Sequence, residues 1–224
     1  MDMVTLEAAR RLGVSQRQVQ RLAASGRLSG ARRVGNSLVV DASSVAVLNS
    51  QAVRRGRPWS AGMAWAGLWR LSGLQAEWVT GQPSTRLDQR LARVDARGLA
   101  WATRGRAVVA RFRASGTALS LIGGRLRLTG VSALVQGRDL LSPATDRIEG
   151  YATTEELGTL VEEFYLVPDD LGVVTVRVAN HPVVTCWSGV MPMAVVGVDL
   201  LDSADPRERA AGEHLLDTLL AEGA

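Results

Sequence analysis

The chain has 224 residues, 46% of them hydrophobic, with 23 Gly and 7 Pro. That is enough for one large or two modest globular domains and too apolar for a disordered chain. All 26 basic residues are Arg, a uniformity that GC-rich coding alone produces, and Cys186 is the only cysteine. An intrachain disulfide is therefore excluded, and His181 and His214 hardly supply the ligands a Cys-based metal site would need, so no metal or cofactor is expected.

The opening MDMVTLEAARR lacks the charged start and apolar core of a signal peptide. No apolar run reaches the ~20 residues needed to span a bilayer, so a cytoplasmic protein with no membrane partner is expected. Charge is unevenly spread: residues 1–57 carry +7, 58–150 carry +7 and 151–224 carry −10. Such polarity predicts that the first two thirds face a polyanion and the last third does not.

In chain order, Thr5 is placed to cap a first helix over 6–12, with Leu6, Ala9 and Leu12 on one face. Gly13-Val14-Ser15 makes a turn whose serine caps a second helix, Gln16–Ala24, with Val19, Leu22 and Ala23 inward. Gln16, Arg17, Gln20 and Arg21 then fall on an outward arc of roughly 140° at ~100° per residue. Arg can bond guanine O6 and N7 bidentately and Gln adenine N6 and N7, so this arc suits the major groove. Ser25-Gly26 closes the helix, and 31–40 reads as a hairpin turning at Gly35-Asn36, with Arg32 and Arg33 at its base where phosphate or minor groove would lie. Asp41-Ala42-Ser43-Ser44 starts a third helix through Val45 and Leu48.

Helix, turn, helix, hairpin, helix over VTLEAARRLGVSQRQVQRLAASGRLSGARRVGNSLVVDASSVAVL resembles the winged DNA-binding domain of the MerR and excisionase type. The candidate DNA-contacting residues are Ser15, Gln16, Arg17, Gln18, Gln20, Arg21, Arg32, Arg33, Asn36 and Ser37. One such head reads few base pairs, so a homodimer or tandem copies on double-stranded DNA are expected.

Arg54-Arg55-Gly56-Arg57-Pro58 reads as a linker, since Pro58 would break a continuing helix. Three regions follow from this: a winged helix-turn-helix over 1–57, a basic, Trp-rich α+β region over 58–150, and an acidic α+β region over 151–224 that can form one unit with it. The fold class is α+β. Ser60 caps a segment with Trp65, Leu68 and Trp69 at helical spacing and Trp59 and Trp78 flanking, which reads as core. A helix starting at Pro83-Ser84 puts Leu87, Leu91 and Val94 inward and Arg86, Arg90, Arg93 and Arg97 outward. Val108, Ala110 and Phe112 alternate with Val109, Arg111 and Arg113, and Arg125-Leu126-Arg127-Leu128 repeats the period, giving strands with one basic, solvated side.

Thr153 and Glu156 have capping-box spacing before Leu157, Leu160, Val161 and Phe164. A strand over 173–178 and an apolar helix over 192–201 precede Asp205-Pro206-Arg207-Glu208, a helix start whose stripe of Ala211, Leu215, Leu216 and Leu219 packs within the domain. The segment PMAVVGVDLLDSADPRERAAGEHLLDTLL, with VPDDLGVVTVRV upstream, resembles the C-terminal region of AbiEi-type antitoxin regulators. That resemblance implies an autorepressor, or alternatively a type IV antitoxin that also counters a companion nucleotidyltransferase toxin without holding it in a stable complex.

Catalytic signals are weak. Asp199, Asp202 and Asp205 are closely spaced, but Asp205 serves as a cap; Glu213 and His214 point ~100° apart on a helix. Glu162-Glu163 and Asp169-Asp170 read as solvated charge, and Cys186, in an apolar setting, as buried. No GxxxxGK[ST], GxSxG or HExxH occurs. The expectation is a DNA-binding transcriptional regulator, not an enzyme.

Overall fold

The computed structural model describes all residues except 1, 25–27, 29, 36, 53–56, 137–146 and 224, and only the backbone of 49–52 and 135–136. The chain divides into two compact units, Met1–Gly56 and Arg57–Ala224. It is α+β, with a three-stranded and a five-stranded sheet among the described residues.

In the first unit, β1 (Asp2–Val4) leads directly into α1 (Thr5–Leu12), and α2 (Gln16–Ala24), β2 (Arg32–Val34), β3 (Ser37–Asp41) and α3 (Ala42–Ala52) follow. Gly13, at φ 62°, ends α1, and Ser15 Oγ accepts from the Gln18 backbone N–H at 3.2 Å to begin α2. Val34 pairs with Ser37 across a two-residue connection whose Gly35 has φ 58°; the other residue, Asn36, lies outside the described residues. Asp41 anchors α3 by accepting from the Ser43 hydroxyl, which holds its carboxyl below the usual range. β1 pairs with β3 through Met3 and Val40, and both join Ala8, Leu12, Val19, Leu28 and Val45 in one small core.

Two expectations for this unit need correction. Leu6 is 51% exposed; the inward face of α1 is Thr5, Ala8, Ala9 and Leu12. The helix starts one residue earlier than its cap pattern suggested, with Val4 at the cap position, so Thr5 turns inward instead of capping. β1 is too short to show a period in the sequence.

The second unit opens with three helices, α4 (Ala61–Leu71), α5 (Gly81–Leu91) and α6 (Ala96–Thr103). The single helix expected from residue 83 to 97 is thus broken, because Asp95 accepts from the Gly98 N–H at 2.7 Å and caps α6. Then come β4 (Val108–Arg113), α7 (Leu119–Arg125), β5 (Arg127–Leu128), α8 (Gly130–Gln136), β6 (Ile148–Ala152) and α9 (Thr154–Phe164). The chain ends with β7 (Val167–Pro168), β8 (Val174–Val178), α10 (Pro182–Thr185), α11 (Met193–Leu201) and α12 (Pro206–Glu222). The Thr153–Glu156 capping box forms on α9, and Asp205 caps α12 by accepting from the Arg207 N–H at 2.8 Å.

The sheet order is β5-β6-β8-β4-β7, with β6 and β8 parallel and the other pairs antiparallel. Because β4 pairs with β8 along its length, residues 58–150 and 151–224 share one sheet and form one unit. Tyr151 and Ala152 are successive residues that join different cores, so apolar packing covers both faces. Trp65, Leu68 and Trp69 are buried in the larger core, as the helical spacing predicted. α12 lies close on α11, where Gly197 and Gly212 leave no room for a side chain: a Cβ on Gly212 would sit 2.7 Å from the Gly197 carbonyl. Gly172 passes equally close to the backbone of Phe112, where an added Cβ would be 2.2 Å away.

Candidate nucleic-acid interface

The exposed face of α2 follows from its cap and its core contact. Val19 is fully buried, with Leu22 and Ala23 half-buried beside it, so Arg17, Gln18, Gln20 and Arg21 are turned to solvent. Among the described residues none of these four side chains has a hydrogen-bond or ion-pair partner. Gln16 is also exposed, but its Nε2 donates to the inward Thr5 Oγ1 at 2.8 Å, tying α2 to α1. It acts as a clamp between the two helices.

On the hairpin, Arg32 is paired with Asp2, whereas Arg33 and Ser37 are exposed with no partner among the described residues. The carboxylates of this unit are all engaged: Glu7 by Arg11 at 2.9 Å, Asp2 by Arg32 and Asp41 by the start of α3. Among the described residues Arg10, Arg17, Arg21 and Arg33 therefore keep uncompensated charge. Arg17, Gln20 and Arg21 share the α2 surface, and Arg33 lies on the hairpin. Of the ten sequence candidates, Ser15 is a structural cap, Gln16 and Arg32 are partly committed to intramolecular bonds, and Asn36 is outside the described residues.

Sequence reasoning missed a buried ionic cluster in the second unit. α11 is apolar on all sides and carries Asp199 into the interior; a 3-10 turn after α6 delivers Arg106, and β6 and β8 deliver Glu149, Tyr151 and Arg177. Asp199 accepts from Arg106, from Tyr151 Oη at 3.1 Å and from Thr129 Oγ1 at 2.6 Å, and Arg177 Nε lies 3.1 Å from it. Arg177 also binds Glu149 at 2.7 Å and Asp202 at 3.1 Å. Burial opposes the charge of both guanidiniums, yet the surrounding acids and Tyr151 hold their pKa values above the ordinary one. Burial pushes the Glu149 carboxyl and the Tyr151 hydroxyl up.

Every buried member of the cluster is partnered within it, so the cluster fastens the sheet to α11. A cleft of about 270 Å³ opens over it, lined by Arg111, Glu149, Thr175, Arg177, Asp202 and Glu208 among others. The one sequence signal was Asp199 itself, a lone charge inside an otherwise apolar run.

Other expected sites resolve plainly. Cys186 is exposed: it caps α10, whose Val183 and Val184 take the inward positions. Arg127, expected on a solvated face, is half-buried and binds Glu156 at 2.5 Å. Glu213 binds Arg97 at 2.9 Å, while the neighbouring His214 is exposed. Among the described residues no group of three or more His, Cys, Asp or Glu is placed to hold a metal, and no helix is long and apolar enough to cross a membrane. Comparison of the chain with protein-family models, with curated proteins and with solved structures finds no match.

Proposed function

We propose that the chain is a sequence-specific, double-stranded DNA-binding transcriptional regulator acting on its own operon, with Met1–Gly56 as a winged helix-turn-helix. The observation that carries this reading is the solvent face of α2, where Arg17, Gln18, Gln20 and Arg21 stand together with no partner among the described residues. Arg and Gln are the side chains that match guanine and adenine edges bidentately, and a helix capped by Ser15 and clamped by Gln16 holds them rigidly. Arg33 on the hairpin takes phosphate, and two or more copies together read a site long enough to be unique.

A titration of the full chain against a duplex from its own promoter, across a range of salt, tests the proposal. With ~5 phosphates engaged, log K against log salt has a slope of about −4 to −5. Arg17→Ala or Gln20→Ala loses about 1–3 kcal/mol on the preferred site and blurs base preference, whereas Arg33→Ala weakens all sequences alike. A slope near zero, or preference for single strands, sinks the reading.

A further inference from the structure

The fold pairs eight arginines of the second unit with carboxylates, and three of those it leaves without an acidic partner stand close together in sequence. Arg70, Arg97, Arg106, Arg113, Arg125, Arg127, Arg147 and Arg177 each have an acidic partner. Arg86, Arg90 and Arg93 have none among the described residues; Arg86 reaches only the Gln82 side chain, at 3.3 Å.

These three lie within a 60° arc when continued at ~100° per residue along α5 and the turn after it, and span roughly 10 Å at ~1.5 Å per residue. All three are exposed, while Leu87 and Leu91 on another side of the helix face the core. The carboxylates nearest in sequence are turned elsewhere: Asp88 binds Arg70 at 2.5 Å, and Asp95 caps α6. Like charges at i and i+4 on a helix repel and weaken it, so this row is unfavourable to the folded chain by itself. An external polyanion relieves that repulsion, and its counterions are released on binding.

We propose that Arg86, Arg90 and Arg93 form a second phosphate-binding surface for duplex DNA, one that adds affinity without base preference. The inference rests on the DNA-binding reading, and the experiment separates the two. The full chain and the variant Arg86→Gln/Arg90→Gln/Arg93→Gln are titrated by fluorescence anisotropy against a mixed-sequence duplex of about 40 base pairs over a range of NaCl concentrations. Gln keeps helix propensity, and an unchanged melting temperature certifies the fold.

Three lost phosphate contacts reduce the magnitude of the salt slope by about 2 to 3, and base discrimination on the promoter site stays as in the parent. Arg125→Gln, which removes an exposed charge already paired with Glu163, leaves the slope unchanged. An unaltered slope in the triple variant overturns this proposal while a steep parental slope keeps the regulator reading. A flat parental slope overturns both. An unaltered duplex slope with lost binding to single-stranded RNA of the same length overturns it in favour of an RNA partner.

Discussion

Replacing Asp199 by alanine removes the acceptor at the centre of the buried ionic cluster. Asp199 is fully buried, with Arg106 2% and Arg177 6% exposed, so the two guanidiniums cannot turn to water when it is lost. Arg177 keeps Glu149 and Asp202, but Arg106 keeps only the neutral Tyr151 hydroxyl at 2.9 Å and Thr103 carbonyl at 3.1 Å beside a carboxylate, Asp202, at 3.6 Å, and Thr129 loses its 2.6 Å acceptor. Breaking one side of a buried pair costs about 3–5 kcal/mol. For a unit of this size each kcal/mol moves the midpoint by about 2–4 °C, so the melting temperature falls by roughly 6–20 °C. All six tryptophans lie in the second unit, so tryptophan fluorescence reports this transition without the first unit. The double variant Arg106→Met/Asp199→Leu removes both charges together and recovers much of the loss, because desolvation of the pair disappears with it. An Asp199→Ala midpoint within about 2 °C of the parent would show that the cluster is not what fastens α11 to the sheet.

The α11–α12 contact is the second place to look. Gly212→Val has no space beside the Gly197 carbonyl and Leu200, so it should destabilise the second unit by about 1–3 kcal/mol in urea unfolding; a neutral result refutes the close packing. Thr5→Val keeps the buried shape but releases Gln16, so the first unit should lose about 0.5–1.5 kcal/mol by circular dichroism, with no change in tryptophan signal. Burial lowers the His181 pKa below 6.5, which means that the fold favours the neutral ring. The associated stability is complete above 6.5 and is lost as pH falls through the folded value. The ring stacks on Trp65 at 6.0 Å and meets Trp78 at 5.3 Å, so His181→Phe keeps the ring contacts while giving up the 3.4 Å bond that Nδ1 accepts from the Val183 N–H; it should lower the melting temperature evenly and flatten its decline between about pH 6.5 and 5, above the range where ordinary carboxylates titrate. An identical decline in the variant would assign it to another group.

What was legible in the sequence was local. Ser15, Gly35, Asp41, Thr153 and Asp205 each act on residues two or three positions away, and the helices and turns they mark form where their chemistry places them. The missed break between α5 and α6 belongs to the same class: Asp95 is a cap, hidden because the Arg spacing continued past it. The ionic cluster was not legible because Arg106 and Asp199 are 93 residues apart, and nothing local says which Arg a buried acid will meet. Cys186 shows a related limit, since apolar neighbours in sequence say little about one residue at the end of a four-residue helix.

Charge was the feature whose sequence position misled most. The acidic last third looked like a region held apart from a polyanion, yet Glu156, Glu163, Glu208 and Glu213 bind Arg127, Arg125, Arg147 and Arg97 from the basic middle. Those exposed or partly exposed pairs contribute little stability each, but they neutralise the surface on which they lie. With 17 Arg against 19 acids, Arg57–Ala224 carries −2, whereas nine Arg against three acids give Met1–Gly56 +6. The long-range attraction for a polyanion therefore belongs to the small first unit, where a Debye length of ~8 Å at physiological salt lets closely spaced unpaired arginines act together. In the second unit only a local cluster that escapes neutralisation can add to it, and Arg86, Arg90 and Arg93, on α5 and the turn after it, form such a cluster. If the proposed DNA-binding reading holds, raising salt weakens the first unit's contribution and that of Arg86, Arg90 and Arg93 in the same proportion per phosphate, and leaves unchanged the base preference assigned to Arg17 and Gln20.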